Sequence, residues 1–174
     1  MLRANFITAE EAAERIADQS TLCTIGMTLV SASESILKAI EKRYETSGHP
    51  ADLTLVHSCG QSDRKDGIQH LAHEGLVKRI IGSHWGLQPR WMEMIANSQV
   101  EAYCLPQGQI AQLYRSMACG LPGKMSKVGL GTFVDPRVEG GKMNERTRPL
   151  PDLVDIIKYE DEEYLFYKQI PLDV

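Results

Sequence analysis

No stretch of this sequence approaches the roughly 20 consecutive apolar residues that a bilayer-spanning helix needs. No run of lysine and arginine builds an electrostatic footprint for nucleic acid or an anionic membrane either. The 19 basic residues face 23 acidic ones, for a formal net charge of -4, so neither nucleic acid nor membrane is an expected partner. No signal peptide is expected either, since "MLRANFITAEEAAERI" turns acidic where the apolar core of such a peptide would lie, and a cytoplasmic location is expected. The four cysteines, Cys23, Cys59, Cys104 and Cys119, show no CxxC pair and fall far short of a secreted disulfide scaffold. They are expected as reduced thiols in the core or in loops. Internal repeats, low-complexity tracts and flexible linkers are absent too.

What remains is an ordinary globular composition, 43% hydrophobic and 24% charged over 174 residues, enough for one core. Hydrophobic period alternates between two and about 3.6, the signature of strands alternating with helices. Thr8 and Glu11 form a capping box for a first helix, and "STLCTIGM" reads as a buried strand. "SASESILKAIEKRY" aligns Ile36, Leu37, Ile40 and Tyr44 on one helical face, with Ser33 as the cap. "ADLTLVHSCG" is the next strand. "DGIQHLAHEGLVKR" reads as a helix on its Ile68, Leu71, Ala72 and Leu76 stripe, weakened by Gly75.

"RIIGSHWG" is then a short strand, and Pro89 opens a helix with Trp91, Met92 and Ile95 inward. "VEAYCLPQG" is a strand, and "QIAQLYRSMACG" a helix closed by Gly120. The rhythm predicts an α/β domain of three layers, a mostly parallel sheet flanked by helices on both faces. "LVDIIKYEDEEYLFYKQIPLDV" adds an antiparallel hairpin around an acidic turn. The chain stops on the apolar "IPLDV", which reads as the start of another strand, so the polypeptide is expected to be one part of something longer.

In parallel α/β sheets the ligand crevice lies beyond the carboxyl ends of the strands. Four strand-to-helix loops therefore carry the candidate site: "IGMTLVSAS", "HSCGQSDRKDG", "GSHWGLQP" and "LPQGQ". Glycines such as Gly26, Gly60 and Gly108 let backbone approach a ligand, and Gln61, His84, Trp85 and Gln107 supply polar or stacking groups. Each such loop alone is equally a tight turn.

"DLTLVHSCGQSD", "LAHEGLVKRIIGSHWG", "EAYCLPQG", "VGLGTFVDPRVEGGKMN" and "DEEYLFYKQIPLDV" together resemble the N-terminal (alpha) half of the family I CoA-transferases, the acetate, propionate and short-chain acyl-CoA type. The resemblance spans nearly all of residues 1–174. It implies a partner, a complementary C-terminal (beta) half, and a homo- or hetero-oligomeric enzyme acting on acyl-CoA and carboxylate substrates. Coenzyme A is then a substrate, with no tightly bound cofactor. In that family a glutamate attacks acyl-CoA, passes through an acyl anhydride to a glutamyl-CoA thioester, and an acceptor carboxylate collects the CoA. The glutamate belongs to the other half, so Glu34, Glu74 and Glu139 do not fill that role.

What carries over is Gln107 of "LPQG", an amide that stabilises the carbonyl oxygen as it becomes negative. Read from the residues alone, Gln107 is more often a helix-start residue bonding local backbone. The turn after the first strand departs from the family: a glycine-rich segment is expected, and "GMTLVSASE" keeps only Gly26. That departure leaves open a non-catalytic scaffold half; a sugar-phosphate isomerase of similar architecture would need a phosphate nest the sequence lacks.

Other features carry less. "HLAHE" matches no zinc-site spacing, so no metal is expected. Cys59 lies in a crevice loop without a histidine at a recognisable nucleophile spacing. The long "GTFVDPRVEGGKMN" segment reads as an ordered loop joining the sheet to the hairpin, with Thr132 facing the cleft and Asp135 with Arg137 as a local brace or solvent-facing charges.

Overall fold

The computed structural model describes residues 5–174. Four parallel strands, β1 (Thr21–Thr24), β2 (Leu53–His57), β3 (Val77–Gly82) and β4 (Glu101–Cys104), form one sheet in the order β1-β2-β3-β4. Because spatial order follows chain order, right-handed crossovers place every connecting helix on the same face. That face is covered by α1 (Ala9–Glu14), α2 (Glu34–Ser47), a short 3-10 helix (Gly67–Leu71) and α3 (Pro89–Ala96). Ile16, Leu37, Ile40, Ile68, Leu71, Trp91 and Ile95 pack there on Leu22, Leu55, Ile80 and Ala102.

The opposite face, carrying Val56, Ile81 and Tyr103, is covered by α4 (Gln107–Ala118) and by a second sheet. That sheet is antiparallel, in the order β5-β7-β6 from β5 (Gly123–Ser126), β6 (Val154–Tyr159) and β7 (Glu162–Lys168). The third layer is thus one helix plus a sheet rather than helices alone. The hairpin around Glu160 and Asp161 forms as the sequence predicts, but β5 joins it as a strand the pattern does not announce. Only glycine fits at position 123, where a Cβ would lie 2.3 Å from the Tyr167 carbonyl oxygen.

Two local expectations are corrected. The predicted helix over "DGIQHLAHEGLVKR" shrinks to the 3-10 turn Gly67–Leu71, and the chain enters β3 at Val77. The Trp91 indole N–H donates to the Ile68 carbonyl at 2.8 Å, the acceptor that an α-helix would give to the Ala72 amide. Ala72 N–H turns instead to Gln69 O at 3.1 Å, which is the tighter 3-10 pattern. Left-handed backbone at Gly67 (φ 76) and Gly75 (φ 87) bounds the segment. In α3, Met92 does not face inward; it is 51% exposed, and Met94 is buried with Trp91 and Ile95, the i, i+3, i+4 stripe that one helical face allows.

The first helix keeps its capping box, with Glu11 N–H donating to Thr8 Oγ1 at 3.1 Å and Thr8 N–H to Glu11 Oε2 at 2.8 Å. Ser33 precedes α2, but its side chain makes no capping bond. Among the described residues no helix is long and apolar enough to cross a membrane.

Candidate functional site

All four parallel strands end at one edge of the sheet. Their following loops line up in strand order, so with about 4.8 Å between neighbours the row is roughly 14 Å long. The β1 loop lies at one end and the start of α4 at the other.

The β1 loop makes a tight turn. Met27 and Val30 exchange backbone hydrogen bonds of 3.1 and 2.9 Å, with Thr28 in left-handed backbone at φ 54. Gly26 sits at φ 151, and a Cβ there would lie 2.8 Å from Val30 O, so this glycine is required by the turn itself. Ile25, Met27 and Val30 are exposed, which makes the glycine-poor segment an apolar crest. Thr28 N–H donates to Gly60 O at 2.8 Å and fastens the crest to the next loop.

In the β2 loop, Gly60 is buried beneath the following loop. A Cβ on Gly60 would stand 2.8 Å from His84 Cε1 and 2.9 Å from the Gln88 side-chain amide. The Gln61 side chain is fully buried, its amide donating to Thr24 O at 2.8 Å, so it braces the end of β1. Gln88, also buried, accepts from Gln61 N–H and donates to His84 O, both at 3.1 Å. Gly60→Ala is expected to displace the His84 ring and lower stability by about 1–3 kcal/mol through overpacking. A shifted urea midpoint at unchanged slope is the readout.

His84 is exposed. Gly86 N–H donates to its Nδ1 at 3.1 Å, which leaves Nε2 as the protonated nitrogen of the neutral ring. Trp85 points the other way, 5% exposed and packed edge-on to His57 with ring centroids 6.1 Å apart. At the far end, Gln107 and Gly108 are the first two residues of α4 and both are exposed. A Cβ at Gly108 would meet nothing within 4 Å. The exposed polar side chains of the four sequence-selected residues are therefore His84 and Gln107, while Gln61 and Trp85 build the floor.

Beneath the edge the thiols are set for packing rather than attack. Burial pushes the Cys104 thiol up to about 11, and its Sγ donates to Ser83 O at 3.1 Å. Burial raises Cys23 as well. Cys59 is buried. A high pKa keeps a thiol protonated and poorly nucleophilic.

The residues of "HLAHE" lie on the α2 face. His70 Nε2 meets Glu34 at 2.9 Å, its Nδ1 meets Glu41, and His73 Nε2 meets Glu41 at 2.8 Å. This clasp ties the 3-10 turn to α2. Glu74 is exposed.

The long 129–147 loop is ordered and does structural work at the outer edge of β4. Cys104 N–H donates to Gly141 O at 2.7 Å, Met143 N–H to Ala102 O at 2.9 Å, and Ala102 N–H to Thr147 Oγ1 at 2.8 Å. Asp135, fully buried, is its anchor. Its carboxylate accepts from Gly131 N–H at 2.9 Å, Arg137 N–H at 3.0 Å and the Arg137 guanidinium at 2.8 and 3.0 Å. Thr132 is exposed, with its hydroxyl donating to Gly129 O at 2.8 Å.

Sequence reasoning missed His57 and Gln88. Both are polar residues at interior positions, where the hydrophobic pattern predicts no chemistry.

Comparison with known proteins places this geometry. Residues 6–172 match the family described as Coenzyme A transferase. The caffeate CoA-transferase of Acetobacterium woodii is 44% identical over 172 residues, covering 98% of this chain and 32% of that protein. The crystal structure of the E. coli O157:H7 acyl-CoA transferase YdiF in a thioester complex with CoA superposes with a TM-score of 0.90. It is 38% identical, and the match covers 96% of this chain and 33% of that one. One polypeptide of a probable succinyl-CoA:3-ketoacid coenzyme A transferase of Bacillus subtilis, named as a subunit of that enzyme, is 27% identical over 87% of this chain and 63% of its own length. The chain thus spans about a third of the length of the first two relatives.

Proposed function

The chain belongs to the coenzyme A transferase family, and from that premise we propose that it forms one wall of an enzyme moving CoA between a short-chain acyl-CoA and a carboxylate acceptor. The nucleophilic glutamate comes from a complementary half. The observation that carries the reading is Gln107, exposed at the head of α4 on the carboxyl edge of the sheet, in a chain that matches the family along nearly its whole length.

In this reading the partner's glutamate attacks the thioester carbonyl carbon, and the carbonyl oxygen takes up negative charge. The Gln107 amide donates to that oxygen. A neutral donor suits the task, because it stabilises the developing charge without a tight ion pair to the ground state. Collapse breaks the carbon–sulfur bond and releases CoA thiolate, leaving an acyl–glutamyl anhydride. The thiolate then attacks the glutamyl carbonyl and expels the acyl carboxylate. The acceptor carboxylate repeats the sequence in reverse on the glutamyl-CoA thioester.

His84 supplies a second donor along the row through Nε2–H, and Gly26, Gly108 and Thr132 line the approach of substrate, with Gly60 buried behind the His84 ring. The floor residues Gln61 and Trp85 fix the loops that carry them. Two acidic residues of this chain are engaged elsewhere: Glu34 bonds to Lys38, His70 and Gly67 N–H, and Glu101 pairs with Arg79 at 2.6 Å.

The test is reconstitution. Mixed with its complementary half and given acyl-CoA plus a carboxylate, the chain is expected to support CoA transfer, and a CoA adduct forms on the partner polypeptide by intact mass. The chain alone is expected to be inactive. An assembled complex that transfers nothing would favour a scaffold role.

A further inference from the structure

We infer that His57, donating from Nδ1 to the Cys59 carbonyl, is the positioning residue that sets the middle of the candidate active-site wall. The inference rests on the transferase reading for its catalytic consequence only; the geometry stands apart from it.

The imidazole is fully buried at the end of β2. Its Nδ1 lies 2.8 Å from Cys59 O, and a carbonyl only accepts, so Nδ1 carries the proton. Burial pulls the ring's pKa down to about 4, and Nε2 is therefore a bare acceptor at neutral pH. It has no hydrogen-bond partner among the described residues. The ring fills the place of a side chain at position 82: a Cβ on Gly82 would lie 2.5 Å from His57 Nε2 and Cε1. Trp85 closes the other side, edge-on.

One ring thereby fixes three loops. The bond to Cys59 O orients the turn that carries Gly60, whose carbonyl receives Thr28 N–H and whose Cα hydrogen faces His84. Moving that turn moves the apolar crest on one side and the His84 donor on the other. A purely apolar residue would fill the volume but leave the Cys59 carbonyl without its donor. Leaving a buried acceptor bare is the costly half of losing a hydrogen bond.

Two substitutions separate donor from volume. Asparagine places an amide N–H close to where Nδ1 stands but fills less space; leucine fills space without a donor. In the 174-residue chain, hydrogen exchange of the Thr28 amide reports whether Gly60 O is in place, and it requires no transferase activity. His57→Asn is expected to keep Thr28 protection within a few-fold of wild type, and His57→Leu to exchange at least tenfold faster. In the assembled enzyme kcat should follow the same order, with Asn above Leu.

The opposite order, equal protection in both variants, or loss in both with the fold retained would overturn the inference. A measurement on the unmodified chain covers the case of variants that do not fold. Nitrogen-15 shifts of His57 are expected to show protonated Nδ1 and unprotonated Nε2 from pH 5 to pH 8. The reverse tautomer, or titration in that range, overturns the assignment. If exchange follows the expected order while no variant or wild-type complex transfers CoA, it is the transferase reading that fails and the positioning role survives.

Discussion

Gln107→Ala is expected to lower kcat of the assembled enzyme by about 10²–10³, the loss of roughly 3–4 kcal/mol that one oxyanion donor contributes. KM for acyl-CoA should change little, because the interaction forms as charge develops on the carbonyl oxygen rather than on binding. Stability should be close to wild type, since the side chain is exposed at the first position of α4. Gln107→Glu is the sharper probe. It preserves shape but sets a carboxylate where negative charge accumulates, so its kcat should fall at least as far. Steady-state kinetics on the reconstituted complex decide the matter, and a kcat near wild type for Gln107→Ala would remove Gln107 from the mechanism.

The largest expected loss of stability outside the hydrophobic core comes from Asp135→Ala, about 2–3 kcal/mol in urea denaturation. Removing the carboxylate takes the acceptor away from the Gly131 and Arg137 amides, whose hydrogen bonds to it are partly buried, and unsatisfied donors are the expensive outcome. The reciprocal change, Arg137→Ala, should cost clearly less, because that side chain is half exposed and water already screens its contribution. The pH dependence has a definite sign. Hydrogen bonds from the Arg137 side chain first, opposed by burial and aided by the two backbone amides, hold the Asp135 carboxyl far below the usual carboxylate range. The stabilisation is complete above the unfolded pKa of about 4 and is lost as pH falls from there. Asp135→Asn should remove that acid-side slope.

Much of this architecture is written in local patterns. The Thr8–Glu11 box, the Pro89 helix start and the alternation of β and α periods act over a few residues, and each forms as it reads. Two of the misses, the helix after β2 and the strand β5, share one cause, contacts made from far along the chain. Trp91 reaches back 23 residues to the Ile68 carbonyl and turns an amphipathic helical pattern into a 3-10 turn. β5 acquires its identity only from β7, with Gly123 opposite Lys168. At the site, the exposed glutamine and histidine are legible because strand ends are where ligands bind. Gln61 and Trp85 fall in the same loops, yet their neighbours Thr24 and His57 turn them inward, and nothing in their own sequence context distinguishes the two fates.

The loop 129–147 has a further consequence for how the protein behaves at high concentration. A parallel sheet with a bare outer strand offers a row of unpaired amides and carbonyls to any chain that drifts alongside, the starting point of edge-to-edge aggregation. Here the outward groups of Ala102 and Cys104 are already occupied by Gly141, Met143 and Thr147. At β1, likewise, Cys23 N–H donates to Val174 O, and Thr21 O accepts from the Asp173 and Val174 amides. Both outer strands are therefore bonded from within the chain, and another strand could be recruited only by displacing one of these segments.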